Sequence, residues 1–281
     1  MGVKRKAAAA VLVLLLFLGS LWLREWTHTH THTHTLSVYR VVVISISEAN
    51  GSEGPPVLEG CPGQTFQASL LLSHLLDAPA YDSDVLLQPY LSSWDELVKF
   101  MDALGPMVGL ISKEIVSKTS IIRQLAAATE EEDPEAELGP AYRSVRSMIW
   151  VELDRGTVDF HRQTESGCRT LLRLHRALLW LKLFLEKLAE NAVAGGRLRS
   201  PSELCREAYK NTLANYHSWF VRRAAELAFI AMPERGFFFK LVCVQDQEEL
   251  SAVLTRVVRA IEEVYDRTQK ALEENHMLDL P

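Results

Sequence analysis

Apolar and polar positions divide the chain into three stretches of different pattern. Ala7 to Leu23, "AAAAVLVLLLFLGSLWL", is apolar without interruption and is preceded by Lys4, Arg5 and Lys6. From Thr27 to about residue 63 the pattern has no helical period. After that, apolar residues recur every three to four positions almost to the end, the period of helices that bury one face. Phe66, Leu70, Leu71 and Leu75 begin the first such segment. Ser93-Trp94-Asp95-Glu96 has the form of a capping box and predicts a helix start there, running through Phe100 to about Leu104. Gly105-Pro106 breaks it, and a helix from Met107 to Leu125 follows. Glu130 to Pro140 is an acidic loop, and the helical period resumes over Tyr142 to Asp159. Ser166 can cap the next helix, Ser200-Pro201-Ser202-Glu203 is a capping box with proline at its favoured first position, and Asp246 to Glu249 opens a last helix to about Glu274. The expectation is an all-α domain of about eight helices over residues 64–281, with no sheet.

The helix "CRTLLRLHRALLWLKLFLEKL", Cys168 to Leu188, breaks the usual amphipathic rule. Its leucines point in all directions, the mark of a helix buried on every side. Yet Arg169, Arg173 and Arg176 share one stripe, and one to two turns further the same stripe becomes Trp180, Leu183 and Phe184. A solvated face does not usually end in Trp and Phe, and burying unpaired guanidiniums costs several kcal/mol each. At about 1.5 Å per residue the change from cationic to apolar spans roughly 15–20 Å, the scale of a lipid head and the upper part of its chains. The ligand that suits both halves has an anionic head and an apolar tail.

Composition narrows the chemistry. With 281 residues, 48% of them hydrophobic, the bulk of the chain can build a core, and a net charge of −6 gives no reason to expect nucleic acid. Four scattered cysteines, Cys61, Cys168, Cys205 and Cys243, make neither a disulfide framework nor a zinc motif, although one disulfide is possible in an oxidising compartment. No metal-ligand cluster, nucleophile elbow or glycine-rich phosphate loop is present, so neither catalytic residues nor a cofactor or metal is expected. His217 and Glu114 could in principle serve as base and acid of a hydrolase. "THTHTHTHT", Thr27 to Thr35, is a low-complexity tether, and "VYRVVVISIS", Val38 to Ser47, has strand-like composition. Residues 1–23 have the form of a signal peptide or signal anchor, and 24–63 of a tether and linker. With the sequon Asn50-Gly51-Ser52, they predict placement in the secretory pathway, lumenal or extracellular, the cytosol being the alternative.

The ordered segments "YLSSWDELVKFMDALG", "ISKEIVSK", "ESGCRTLLRLHRALLWLKLFLE", "NYHSWFVRRA" and "LDLP" resemble the glycolipid transfer protein superfamily, and within it the ceramide-1-phosphate transfer branch. The resemblance covers about residues 64–281. It implies a two-layer helical fold that takes one sphingolipid, head at a surface cleft and chains in a collapsible apolar pocket, without chemical change. By position, Lys118, Arg169 and Arg173 match phosphate-binding cations. His217 matches the histidine that bonds the ceramide amide carbonyl. Glu114 stands where the family has an aspartate, so its carboxylate is one methylene longer. Glycolipid binders of the family resemble one another in carrying Trp and Asn where this chain has Arg173 and Lys118; cations at both positions imply a phosphate head, with ceramide-1-phosphate or a related sphingolipid as the partner. Trp180, Phe184 and Trp219 are implied as pocket or membrane contacts. The expected protein is a monomer working at a membrane surface, with a tethered lipid sensor or a glycosylceramide transfer protein as alternatives.

Overall fold

The first helix of the described chain begins only after a turn fastened by side chains. Gln67 donates its Nε2 to the Cys61 and Gln64 carbonyls at 2.8 and 2.7 Å, and its Oε1 accepts from the Cys61 N–H at 2.6 Å. Helix α1 (Ala68–Asp77) follows, and then α2 (Leu87–Ala103), α3 (Gly109–Glu132), α4 (Val145–Asp154), α5 (Gly167–Ala189), α6 (Pro201–Asn211), a 3₁₀ turn (Leu213–Tyr216), α7 (Trp219–Ile230), α8 (Arg235–Leu241) and α9 (Gln247–Glu274). These elements come from a computed structural model, which describes residues 58, 60–132, 141–191 and 197–281. The described residues contain no strand, only isolated bridges at Pro79–Val85 and Leu86–Ser144. The all-α expectation holds, with nine α-helices among the described residues where about eight were expected. The strand-like stretch Val38 to Ser47, the His/Thr tether, the apolar run Ala7 to Leu23 and the acidic loop beyond residue 132 lie outside the described residues.

Helix α5 is the centre of the domain. It packs against α9, α3, α6 and α4, while α2 joins α1 to α3 and α9 backs α1. That arrangement explains its sequence. Of its residues only Glu186 is exposed, and the arginines of the stripe sit at intermediate depth. Ser166 caps it, accepting from the Arg169 N–H. Glu152 of α4, itself buried, accepts from the Gly167 and Cys168 N–H groups at the same helix end, where the unpaired N–H groups favour a carboxylate. Tyr142 also donates to Glu152, at 2.6 Å. The capping boxes at Ser144/Ser147 and Ser200/Glu203 open α4 and α6, and Asp246 caps α9.

One expected helix start is corrected. Ser93 to Glu96 lies within α2, which begins at Leu87. The buried Ser93 hydroxyl donates to the Tyr90 carbonyl at 2.7 Å instead of capping. Glu96, also buried, accepts from the Gln67 N–H at 3.2 Å and pairs with Lys99. The start is set by chain pairing outside the helix: Leu86 N–H bonds the Ala78 carbonyl at 2.8 Å and Leu87 N–H the Arg143 carbonyl at 3.0 Å. A local motif yielded to a tertiary contact.

Candidate lipid head-group site

Two helices and the turn before α7 bring the polar candidates together. Glu114 and Lys118 are one turn apart on α3 and form an ion pair of 2.9 Å. Glu114 is two-thirds exposed while Lys118 is largely covered. Arg169 and Arg173 project from the first turns of α5, close enough for their charges to interact, and the charge of Glu114 reaches both Arg173 and His217. The five candidates therefore form one cluster.

The arginines are held by main-chain acceptors. Arg169 Nε donates to the Pro281 oxygen at 2.5 Å, and Arg173 donates to the same atom at 3.2 Å and to the Arg169 carbonyl at 2.9 Å. Arg176 donates to the Leu278 carbonyl at 2.7 Å, and its guanidinium carbon lies 3.9 Å from the centroid of the Tyr216 ring. Burial, together with the neighbouring charges of Arg169 and Arg176, lowers the pKa of Arg173 from its ordinary value. A residue in that position gains from an added anion, which cancels the like-charge repulsion and replaces lost hydration.

His217 follows the 3₁₀ turn, its Nδ1 within 2.9 Å of the Tyr209 hydroxyl. Burial lowers its pKa, with a smaller push in the same direction from Arg222. The neutral ring is thereby favoured, and the Tyr209 contact leaves Nε2 for a second partner.

Beyond the cations the stripe turns inward. Trp180 and Phe184 are buried and, with Phe100, Leu104, Ile111 and Phe229, line an apolar void of about 10 Å³. Trp219 is elsewhere: it is 58% exposed at the first position of α7, beside exposed Phe220, Val221, Leu227 and Ile230. Sequence reasoning missed Tyr209, which meets His217 across the irregular 3₁₀ turn, and Tyr216 and the Leu278 and Pro281 oxygens, whose partners are distant in the chain. It also left open which cysteines could pair; Cys61 and Cys243 do, 182 residues apart, while Cys168 and Cys205 are free and buried. Among the described residues no group of three or more His, Cys, Asp or Glu side chains could hold a metal ion.

Comparisons with known proteins give the chain its relatives. The family model "Glycolipid transfer protein (GLTP)" matches residues 85–244. The ceramide-1-phosphate transfer protein of Xenopus laevis is 42% identical over 203 residues, covering 71% of this chain and 89% of that protein. The Homo sapiens protein of the same name is 40% identical over 201 residues, covering 70% and 88%. The structure of the apo-form of mouse ceramide-1-phosphate transfer protein superposes with a TM-score of 0.68 at 38% identity, covering 77% of this chain and 100% of that one. Human ceramide-1-phosphate transfer protein in complex with 12:0 ceramide-1-phosphate superposes with a TM-score of 0.66 at 38% identity, covering 76% and 98%.

This similarity overturns the expected placement in the secretory pathway. That expectation rested on Ala7 to Leu23 and the Asn50 sequon, outside the described residues, whereas the similarity rests on the helical domain and accounts for most of the relatives' length. Among the described residues no helix is long and apolar enough to cross a membrane. With a matching family model over more than half of its length and close relatives over most of their own, the chain belongs to the glycolipid transfer protein family.

Proposed function

We propose that the chain binds a sphingolipid with a phosphate head, ceramide-1-phosphate above others, and moves it between membranes without changing it chemically, the lipid domain being residues 64–281. The observation that carries this reading is the continuity of α5: Arg169 and Arg173 at one end of a stripe, Trp180 and Phe184 against an apolar void at the other. Lys118, Arg169 and Arg173 take the phosphate, the two guanidiniums exchanging the Pro281 oxygen for phosphate oxygens of the same hydrogen-bonding kind. His217, neutral and steadied by Tyr209, donates to the amide carbonyl of the ceramide. Glu114 leaves Lys118 to accept from the amide N–H, its extra methylene being tolerated because the side chain is exposed. The chains enter between α2, α3, α5 and α7 as those helices part. The exposed face of α7, with Trp219, Phe220 and Ile230, seats the mouth on a bilayer, where Trp is suited to the interface.

Vesicle-to-vesicle transfer tests the reading. The full chain is expected to move fluorescent ceramide-1-phosphate and to leave galactosylceramide behind. Equal transfer of both lipids, or transfer of the galactosyl lipid alone, would sink the phosphate assignment; binding of ceramide-1-phosphate without transfer would make the protein a lipid sensor instead.

A further inference from the structure

The apolar interior holds a second void, and one ring separates it from the first. Phe100 lines both. The second void, also about 10 Å³, has Phe66, Leu97, Leu185 and Val242 among its walls. Each is close to the least that holds a single water and far short of the room a lipid chain needs. A lipid chain therefore enters only as side chains and helices give way. Lengthening the occupied space inward from Trp180 and Phe184 means moving Phe100 towards Phe66, whose ring it meets edge-on at 5.4 Å between centroids.

What stands behind Phe66 decides how far that movement goes. Phe66 ends the turn that Gln67 ties to Cys61 and Gln64, and the Gln67 N–H is bonded to Glu96 of α2. Val242, another wall residue, is the residue before Cys243, which itself sits in the left-handed region with φ of 58°. Gln64 Nε2 reaches the Lys240 carbonyl at 3.3 Å, and the Cys61–Cys243 disulfide joins the two segments covalently. The bond thus joins two chain segments that each supply a wall residue of the second void.

We propose that the Cys61–Cys243 disulfide is the chain-length stop of the lipid pocket. It holds the Phe66 wall against the Val242 wall, so that Phe100 has limited room to retreat and long acyl chains are refused. This inference rests on the lipid-binding reading above.

The test is binding of 2:0, 12:0 and 24:1 ceramide-1-phosphate to the full chain, to the Cys61→Ser/Cys243→Ser double variant, and to Phe66→Leu with the disulfide intact. The unmodified protein is expected to bind 12:0 at least tenfold more tightly than 24:1. Both variants are expected to narrow that ratio to about threefold or less, with 2:0 binding unchanged in the double serine variant. An unmodified protein that takes 12:0 and 24:1 equally well overturns the stop, and so does a ratio that loss of the disulfide leaves unmoved. Should the serine variant not fold, the unmodified chain with its disulfide reduced takes its place: a narrowed ratio supports the stop and an unchanged one overturns it. If the unmodified protein binds neither 2:0 nor 12:0 lipid, the lipid-binding reading itself fails and the stop fails with it.

Discussion

Arg176 of α5 lies over the ring of Tyr216, with 3.9 Å between the guanidinium carbon and the ring centroid, and Tyr216 directly precedes His217. The stack couples the central helix to the turn that presents the histidine. Its neighbours Arg169 and Arg173 are tied to Pro281, so Arg176 is the member of the stripe that reaches across to the other side of the site.

Tyr216→Leu should therefore weaken lipid binding without touching the phosphate cations. A partly exposed cation–π pair is worth about 0.5–1 kcal/mol, and losing it should raise the Kd for ceramide-1-phosphate by roughly two- to fivefold. An unchanged Kd in a lipid titration would show that the 3₁₀ turn holds its position by other means.

Arg173→Ala should cost far more. Hydrogen bonds to charged groups contribute about 1.5–3 kcal/mol each, which corresponds to a loss of roughly ten- to a hundredfold in affinity for the phosphate lipid. Transfer assays with Arg173→Ala and Lys118→Ala, run beside thermal melts to exclude unfolding, check this. Undiminished transfer by Arg173→Ala would remove the guanidinium from the site.

Trp219→Ala combined with Ile230→Ala should separate docking from binding. Both side chains are exposed, so the fold should be left intact, with stability changing by about 0.5 kcal/mol or less. The transfer rate between vesicles should fall severalfold while titration with dispersed 2:0 ceramide-1-phosphate is unaffected. Equal loss in both assays would place this face in the pocket and not at the bilayer.

His175 gives the fold a pH dependence. It is buried, stacked on Tyr265 at 4.1 Å and bonded through Nε2 to Gln269 at 2.6 Å, and burial pushes its pKa down to about 4. The unfolded chain binds this proton from an ordinary histidine value of about 6.5, so stability is lost as pH falls from there towards 4, by about 3 kcal/mol in all. The thermal midpoint should drop over that window, and His175→Gln should flatten the drop. A slope unaltered by the substitution would assign the acid sensitivity to other groups.

Gly167→Ala tests how the arginines are aimed. A Cβ there would lie 2.6 Å from Met148 Sδ and 2.9 Å from Glu152 Oε1, the carboxylate that caps α5. Overpacking of this kind costs about 1–3 kcal/mol. A lowered thermal midpoint together with weaker phosphate-lipid binding is expected. Weaker binding should be absent if Arg169 finds its place independently of the helix start.

Much of this protein is decided locally. The periods of three to four, the caps at Ser166, Ser200 and Asp246, and the breaks at Gly105-Pro106 place most helices, because caps and periodicity act within a turn or two of chain. The cationic-to-apolar stripe of α5 was legible for the same reason: spacings of three, four and seven on one helix fix which side chains share a face. Glu114 and Lys118, one turn apart, likewise had to be neighbours.

Other features depended on folding. The Ser93 to Glu96 pattern is silent as a cap because the Leu86 and Leu87 N–H groups find partners at Ala78 and Arg143, which start α2 earlier. The partners of the arginines, Leu278, Pro281 and Tyr216, come from segments whose approach no local period encodes. Cys61 and Cys243 carry no pairing signal in themselves; the turn before α1 and the turn after α8, 182 residues apart, are brought together by the tertiary fold. The sequence by itself determined which faces are apolar and where charge interrupts them, since side-chain periodicity follows from helix geometry. The tertiary structure alone decided which carbonyls, rings and thiols those faces meet, because these contacts are set by how whole helices pack.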